Sequence, residues 1–265
     1  MSSKPVEHRA RKRFGQNFLH DPAVIQRIIS AVAPAAGQRV VEIGPGLGAL
    51  TLPLLRSLGR LDVVELDRDI IPKLQAQAVD AGELRIHQAD ALRFDFSTLC
   101  EPGEKLRLIG NLPYNISTPI LFHLLKQAEC IADMHFMLQR EVVERMVAGP
   151  GSKTYGRLSV SLAMQAHCEP LFLVGPGAFK PAPKVESAVV RITPQSTSQQ
   201  PRNQAIFEHV VSKAFSARRK TITNGLRDLL TREQIAEVDI DPGCRPEQIS
   251  PDGFRRLADL INSIE

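Results

Sequence analysis

The stretch VVEIGPGLGALT, residues 40–51, determines the expected fold, because it has the pattern of a strand, a glycine-rich turn and the start of a helix. Gly44, Gly46 and Gly48 have no Cβ, so a ligand could approach the backbone closely at this turn. The spacing Gly44-x-Gly46-x-x-Ala49 formally satisfies the fingerprint of nucleotide-binding βαβ units. The same spacing also fits a tight turn without a ligand, and the βαβ context favours a nucleotide-type ligand.

Strand-like and helical patterns alternate on both sides of this turn. Several of the strand-like runs are apolar on both faces, which is typical of a parallel sheet covered by helices. We therefore expect an α/β fold with a mainly parallel sheet. The strands are predicted at 39–43, 61–66, 84–88, 105–109 and 133–138, with two further candidates at 168–174 and 187–192. The helices are predicted at 23–33, 49–58, 69–79, 117–128 and 139–148.

The segment TPQSTSQQPRNQ, residues 193–204, is rich in Ser, Gln and Pro and has little to bury, which predicts a linker. Beyond it the patterns are helical without strands, over 205–215, 221–230 and 254–264, which predicts a small all-α domain. The expected organisation is a domain over 1–194, a linker over 195–204 and a helical domain over 205–265.

The composition of the 265-residue chain is that of an ordinary soluble protein, with 43% hydrophobic and 23% charged residues. The N-terminus has no apolar signal region, and no stretch approaches the length of a membrane span. Cys100, Cys130, Cys168 and Cys244 lie far apart without a C-x-x-C pair, which indicates reduced thiols and a cytoplasmic location. We expect a monomer that has no membrane association and no metal site.

The net charge of +4 is unevenly distributed along the chain. Residues 1–13 contain five Lys or Arg against one acid, and residues 201–227 contain six against one. Residues 228–265 contain four basic and nine acidic residues. Two basic clusters suggest a polyanionic partner such as RNA, although charge alone fits a solvated mixed surface equally well.

Acidic residues follow the second and third predicted strands. Glu65 lies 21 residues after Gly44, where a carboxylate can accept hydrogen bonds from both hydroxyls of a ribose. Asp90 could accept from an adenine amino group or form an Asx-turn. Asp67 and Asp69 lie near Glu65, and the alternative for them is a role limited to capping the next helix. The pattern predicts an adenosine pocket, which would fit NAD and S-adenosylmethionine equally well.

The segment Asn111-Leu112-Pro113-Tyr114 follows the fourth predicted strand and distinguishes these two cofactors. The exocyclic nitrogen of adenine is a poor nucleophile until acceptors draw its hydrogens towards tetrahedral geometry. The Asn111 side chain and the Leu112 carbonyl can supply two such acceptors, and Pro113 fixes the turn that presents them. Tyr114 offers a ring face on which an unpaired adenine can stack. A type I turn with a packed Tyr is the alternative, but four ordered motifs in one βα frame favour adenine methylation.

These motifs resemble the ribosomal RNA adenine N6-dimethyltransferase family, in particular its bacterial branch that modifies small-subunit RNA. The resemblance covers almost the whole chain. It rests on RKRFGQNFL (11–19), VVEIGPGLGALT (40–51), VVELDRD (63–69), QADAL (88–92), GNLPYNISTPI (110–120), MHFMLQREVVERMVAGPGSKTYGRLSV (134–160) and FKPAPKVESAVVR (179–191). It implies a Rossmann-like S-adenosylmethionine-dependent methyltransferase domain followed by a small C-terminal all-α domain.

The resemblance also implies the roles of individual residues. The cofactor S-adenosyl-L-methionine is expected to contact Gln16, Asn17, Leu19, Glu42, Gly44, Gly46, Glu65, Leu66, Asp90, Ala91 and Asn111. The target amino group is expected at Asn111 and the Leu112 carbonyl, and its base between Tyr114 and Phe179, for which burial between domains is the alternative. RNA phosphates are expected at Arg11, Lys12, Lys213, Arg218, Arg219, Lys220 and Arg245.

The implied substrate is a pair of adjacent adenines in the 3′-terminal hairpin loop of small-subunit (16S) rRNA, dimethylated on a nearly assembled 30S subunit. A large-subunit rRNA methyltransferase of the antibiotic-resistance type would share every catalytic motif. An NAD-dependent oxidoreductase would explain the glycine turn and Glu65, but not residues 111–114. A non-catalytic ribosome-assembly factor is the third alternative.

Overall fold

The computed structural model describes residues 17–195 and 200–264, which divide into two compact units. The first unit extends to Arg140 and resumes over Pro170–Ile192, and the second comprises Glu141–Glu169 and the chain from Thr193 onward. The last segment of the second unit begins at Thr193, close to the predicted linker. However, residues 141–169 group with the C-terminal helices, whereas the sequence-based boundary assigned them to the sheet domain.

A seven-stranded sheet forms the centre of the fold. Every predicted strand is present, with ends within two residues of the prediction. The strands are β1 (Phe18–Leu19), β2 (Arg39–Ile43), β3 (Arg60–Glu65), β4 (Glu83–Gln88), β5 (Leu106–Asn111), β6 (Ile131–Gln139), β7 (Ala166–Val174), β8 (Phe179–Lys180) and β9 (Ser187–Pro194). The sheet order is β4-β3-β2-β5-β6-β9-β7, and β1 pairs with β8 in a separate two-stranded sheet.

The register of the sheet brings the carboxyl ends of its parallel strands to one edge. Strands β2 to β6 pair in parallel, with Ile43 opposite Val64 and Asn111 opposite Met137. Strand β9 runs antiparallel to β6, so its first residue, Ser187, lies opposite Gln139 at the same edge. Ligands of open α/β sheets bind at this edge, because the loops that follow the parallel strands meet there.

Helices cover the sheet in the first unit. Helix α1 begins after Asp21, whose carboxylate accepts a hydrogen bond from the Ala23 N–H at 2.8 Å and caps the helix. The core combines the fully buried residues of β2 and β3 with those of the helices, as the apolar strand patterns predict. These helices are α1 (Pro22–Val32), α2 (Thr51–Leu58), α3 (Ile71–Ala78), α4 (Ser117–Leu125) and, at the boundary of the unit, α5 (Arg140–Met146).

The second unit is helical and has its own core. Its buried residues include Phe207, Phe254 and Leu257 of the C-terminal helices and Tyr155 and Val160 of the segment 141–169. This shared core explains why the segment 141–169 belongs to this unit. The helices are α6 (Arg157–Ala163), α7 (Gln204–Ser216), α8 (Ile222–Gly225), α9 (Arg232–Glu237) and α10 (Pro251–Ile264).

Three features differ from the sequence-based prediction. Helices α6 and α9 were not predicted, and α8 is shorter than the predicted 221–230. The paired strands β1 and β8 are only two residues long, too short for a periodic pattern.

Within the described ranges, no helix combines the length and the apolar character needed to cross a membrane.

Candidate active site

A cavity of about 280 Å³ opens at the carboxyl edge of the parallel strands. It is formed within the first unit by the segments that follow β2, β3, β4 and β5, together with the chain around β1. It brings together most of the predicted site residues, although they are far apart in the sequence. The predicted residues that line it are Asn17, Leu19, Gly44, Gly46, Glu65, Leu66, Asp90, Ala91, Asn111, Leu112, Pro113 and Tyr114.

The glycine turn after β2 forms one wall of this cavity. Gly44 and Gly46 have φ angles of +67° and +53°, a region that L side chains rarely adopt. A Cβ at Gly46 would also lie 3.2 Å from the ring of Phe18. The glycines therefore allow both the turn and the close approach of β1, as expected from the sequence.

Glu65 ends β3 and is almost fully buried beside the turn, with 7% of its surface exposed. Burial raises the pKa of its carboxyl, and hydrogen bonds from the peptide N–H groups of Asp67, Gly46 and Leu66 oppose that effect. The Asp67 N–H donates to Oε1 at 2.7 Å. The peptide groups therefore fix the orientation of a carboxylate that still has acceptor capacity towards the cavity.

Asp90 lies just beyond β4 and combines the two roles that the sequence left open. Its Oδ1 accepts a hydrogen bond from the Leu92 N–H at 3.0 Å, which is an Asx-type turn. Asp90 also lines the cavity, and its second carboxylate oxygen has acceptor capacity for a ligand.

Glu42 is not among the residues that line the cavity, and its contact with the cofactor stays a prediction. It points into the interior of the unit, where it is 2% exposed and accepts a hydrogen bond from Thr51 Oγ1 at 2.6 Å. Burial raises the pKa of Glu42 to about 8, with a smaller increase from the charge of Glu65 included and the hydrogen bond from Thr51 opposing it. Through its hydrogen bond with Thr51, a neutral Glu42 thus joins the end of β2 to the start of α2. This contact supports the glycine turn, which lies between the two residues in the sequence.

The segment after β5 presents two polar acceptors to the cavity. Asn111 Nδ2 donates to the backbone carbonyl of Asn17 at 3.0 Å, which leaves Oδ1 as an acceptor. The Leu112 N–H donates to the Met137 carbonyl at 3.2 Å, and no described residue donates to the Leu112 carbonyl. Pro113 accepts at its own carbonyl from the Ile116 N–H at 3.1 Å, which forms the turn into α4.

Tyr114 is half-buried at the wall of the cavity. Its hydroxyl lies 2.8 Å from Oγ of Ser187, the first residue of β9. Burial raises the pKa of Tyr114, and the hydrogen bond to Ser187 opposes the increase. The ring is therefore held at both ends, by the backbone turn and by its hydroxyl.

Phe179 is not among the residues that line the cavity, and its stacking role stays a prediction. It lies in β8, where it pairs with Leu19, and is only 3% exposed within the apolar core of the first unit. The sequence allowed burial as an alternative and placed it between domains, whereas the structure places it inside one unit.

Several lining residues were not singled out from the sequence. Phe18 and Asn115 contribute to the cavity wall, as does Asp67, for which the sequence suggested a helix cap. Each lies within or beside a motif that was recognised, so proximity to the motif was the available signal. Gln16, Arg11 and Lys12 lie outside the described residues.

The five cations proposed for RNA in the second unit fall into two groups. Lys213 pairs with Asp228 at 3.1 Å, and Arg218 pairs with Glu247 at 2.8 Å. The other three, Arg219, Lys220 and Arg245, are exposed and form no ion pair with a described residue. The unpaired cations are the ones whose charge is available to a polyanion.

The cavity fits S-adenosylmethionine in both shape and chemistry. A turn without side chains suits the amino-acid part, a fixed carboxylate suits a ribose, and apolar lining residues such as Leu50 and Leu92 suit a planar base. An open, mainly parallel sheet with such a cavity at its carboxyl edge is the architecture of an α/β domain that binds a nucleotide-type cofactor.

The sequence model of the family described as "Ribosomal RNA adenine dimethylase" matches residues 7–263 of the chain. The chain belongs to this family. It is 55% identical over 260 residues to a "Ribosomal RNA small subunit methyltransferase A" from Pseudomonas aeruginosa, with 98% of this chain and 97% of the relative covered. A relative of the same name from a Marinomonas species is 51% identical, with 98% of each chain covered.

Two solved structures share the fold. A dimethyladenosine transferase from Plasmodium falciparum has a TM-score of 0.78 at 23% identity, covering 90% of this chain and 95% of that chain. The 23S rRNA methyltransferase ErmE has a TM-score of 0.71 at 23% identity, covering 93% of this chain and all of that chain. At this identity the likeness concerns the fold alone.

Proposed function

We propose that this protein transfers methyl groups from S-adenosylmethionine to N6 of two adjacent adenines in the 3′-terminal hairpin loop of small-subunit rRNA. The product is N6,N6-dimethyladenosine, and the substrate is a late 30S assembly particle. The observation that carries this proposal is the placement of Asn111 and the Leu112 carbonyl at the cavity that Glu65 and Asp90 also line. The relatives named for small-subunit methylation support the choice of RNA.

The cofactor role follows from the positions of the two carboxylates. Glu65 accepts from the ribose hydroxyls, and Asp90 accepts from the cofactor's adenine amino group through its second oxygen. When bound, S-adenosylmethionine supplies a methyl group activated by a positively charged sulfonium. An NAD-dependent oxidoreductase would use the same carboxylates, but it gives no role to Asn111 and its neighbours.

The catalytic role belongs to the segment after β5. Asn111 Oδ1 and the Leu112 carbonyl accept from the two hydrogens of the target amine, which concentrates its lone pair on N6. Both acceptors are fixed before the substrate arrives, Asn111 by Asn17 and Leu112 by Met137. Tyr114 stacks on the flipped base and excludes water from one face. The proton released after transfer passes to solvent, because the attacking amine becomes acidic once it carries the methyl group.

The RNA role belongs to the exposed cations of the second unit. Arg219, Lys220 and Arg245 contact phosphates, and these contacts set affinity and salt dependence without reading sequence. Lys213 and Arg218 are already paired with carboxylates, so we assign them a smaller contribution.

The decisive experiment is methyl transfer from labelled S-adenosylmethionine to small ribosomal subunits that lack the dimethylation. Naked small-subunit RNA and large subunits are tested in parallel, and the RNA is digested to nucleosides. We expect dimethyladenosine on the small subunits alone. Label on large-subunit RNA would place the protein in the resistance-type branch. Cofactor binding without transfer to any RNA would leave a non-catalytic assembly factor.

The cofactor pocket is tested separately by binding of S-adenosylhomocysteine. Glu65→Gln should weaken binding by about 10-fold or more, because a charged hydrogen bond to the ribose is lost. Glu83→Gln is the matched control, since Glu83 is an exposed carboxylate on β4, ion-paired with Arg85 at 2.6 Å and absent from the cavity. Equal affinity of both variants would contradict the assigned role of Glu65.

A further inference from the structure

The hydrogen bond between Tyr114 and Ser187 connects two segments that flank the end of β6. Asn111, at the start of the Tyr114 segment, pairs with Met137 on one side of β6. Ser187 pairs with Gln139 on the other side, two residues further along the same strand. The bond of 2.8 Å therefore spans the end of β6 and joins residues that are 73 positions apart in the sequence.

Ser187 is in a position that packing alone does not explain. It is fully buried at 0% exposure, and a buried hydroxyl is costly unless it forms a hydrogen bond. Alanine would fill nearly the same volume in the interior of β9 without that cost. The hydroxyl finds its partner on Tyr114, so the chain places a buried polar group where it holds the far end of this ring.

The start of β9 is itself held firmly. The Arg140 N–H donates to the Glu186 carbonyl at 2.9 Å, and the Arg140 guanidinium pairs with the Glu186 carboxylate at 2.7 Å. Ser187 follows directly and continues the antiparallel ladder with β6. A ring anchored to this point is held by the sheet as well as by its own backbone turn.

We infer that Ser187 is a positioning residue for methyl transfer, which holds the Tyr114 ring in the orientation that receives the target base. This inference rests on the proposed function, in which Tyr114 stacks on the adenine. The Tyr114 backbone fixes one end of the ring and Ser187 fixes the other, so the exposed face keeps one direction before RNA binds. Ser187 itself lies outside the residues that line the cavity, and its effect passes entirely through Tyr114.

The test compares Ser187→Ala, Tyr114→Phe and the double variant in methyl transfer to unmethylated small subunits. Each single change removes the same hydrogen bond, so kcat should fall about two- to ten-fold in each. The kcat of the double variant should be no lower than that of the less active single variant, because both single changes remove the same hydrogen bond. The KM for S-adenosylmethionine should stay within about two-fold, since neither change touches Glu65 or Asp90, and Ser187→Thr should restore part of the rate.

Ser161→Ala is the matched control. Ser161 is also a serine at 0% exposure, and its hydroxyl donates to Glu208 at 3.1 Å in the second unit. It should lose a comparable amount of stability while keeping the wild-type kcat. A wild-type kcat for Ser187→Ala, or losses that multiply in the double variant, would overturn the inference.

A second readout does not need activity. Relaxation of ¹³C-labelled tyrosine in the free protein measures the order of the Tyr114 ring, which Ser187→Ala should lower and Ser161→Ala should not. If the wild-type protein methylates no RNA but this difference is seen, the proposed function fails while the positioning contact stands. If the ring order is unchanged, the inference about Ser187 fails whatever the activity.

Discussion

The buried carboxyl of Glu42 makes the stability of the first unit depend on pH in a direction that can be calculated. The ordinary pKa of 4.5 is raised to about 8 in the folded chain. Between these values the folded chain keeps a proton that the unfolded chain releases, so the stability that protonated Glu42 contributes falls as the pH rises through this range. This contribution is lost above about pH 8, the pKa of Glu42 in the folded chain. The slope is about 1.4 kcal/mol per pH unit, which gives a loss of about 2–3 kcal/mol between pH 6 and pH 8.5.

Glu42→Gln isolates this contribution. Glutamine keeps the shape of the neutral carboxyl and can still accept from the Thr51 hydroxyl, but it does not titrate. The free energy of unfolding of the wild type, minus that of Glu42→Gln, should therefore fall by about 2–3 kcal/mol from pH 6 to pH 8.5. Other titrating groups affect both proteins alike and cancel in the difference.

The assay can be confined to the correct unit. The chain has two tyrosines and no tryptophan, with Tyr114 in the first unit and Tyr155 in the second. In a Tyr155→Phe background, tyrosine fluorescence during urea unfolding reports the first unit through Tyr114. Glu83→Gln, an exposed carboxylate in the same sheet, should give a difference that stays constant within about 0.5 kcal/mol. A constant difference for Glu42→Gln as well would refute the argument that Glu42 is protonated in the folded chain.

Three further predictions follow from the described contacts. Asn111→Ala should lower methyl transfer by on the order of 10²–10³-fold while binding to small subunits, measured by co-sedimentation, is retained; a loss of binding of similar size would contradict a purely catalytic effect. Replacing Arg219 and Lys220 together by alanine should lower the number of phosphate contacts by about two, as read from the slope of log affinity for RNA against log salt concentration. Lys213→Ala should change this slope less, because the charge of Lys213 is already paired with Asp228. Binding titrations at several salt concentrations check both expectations. Asp133→Ala should destabilise the first unit by about 3–5 kcal/mol in urea unfolding, because it leaves Arg107, whose side chain is only 14% exposed, without its carboxylate partner. An effect below about 1 kcal/mol would show that the pair contributes little.

The surroundings of Asp133 also determine how the stability of the wild-type protein changes with pH. Burial of Asp133 is outweighed by the hydrogen bonds and charge of Arg107 at 2.9 Å, which lower the pKa of its carboxyl. This stabilisation is present above the ordinary carboxyl pKa of 3.8 and is lost as the pH falls through the lowered value. Asp133 therefore contributes to unfolding in acid, whereas Glu42 contributes to it at alkaline pH.

The sheet could be predicted closely because its strands carry a continuous apolar pattern with turn residues between them. The grouping of Gly44, Glu65, Asp90 and Asn111 around one cavity could also be predicted, since each of them ends or follows a strand and parallel strands bring such positions to one edge. Their roles stay predictions. A long-range contact such as Tyr114 with Ser187 could not be predicted, because no local pattern in either segment refers to the other.

Two residues with predicted roles lie apart from the residues that line the cavity. Phe179 and Glu42 were assigned from their motifs, but their side chains point into the core and not into the cavity. The direction of a side chain at a strand end depends on the register with its partner, and single-sequence patterns do not fix that register. The same limit applies to residues 141–169, whose apolar residues have no local sign of which core they enter.

The second unit is built from two separate stretches of chain, and this arrangement limits how the protein can be shortened. Cutting after residue 194 would remove α7 to α10 and leave Tyr155, Val160 and Met164 without the partners that bury them. A shortened protein of that kind would expose an apolar surface and aggregate, so its loss of activity would say nothing about RNA contacts. Charge-reversing substitutions on intact α7 and its following turn keep this core in place, and they are the suitable way to separate RNA binding from folding.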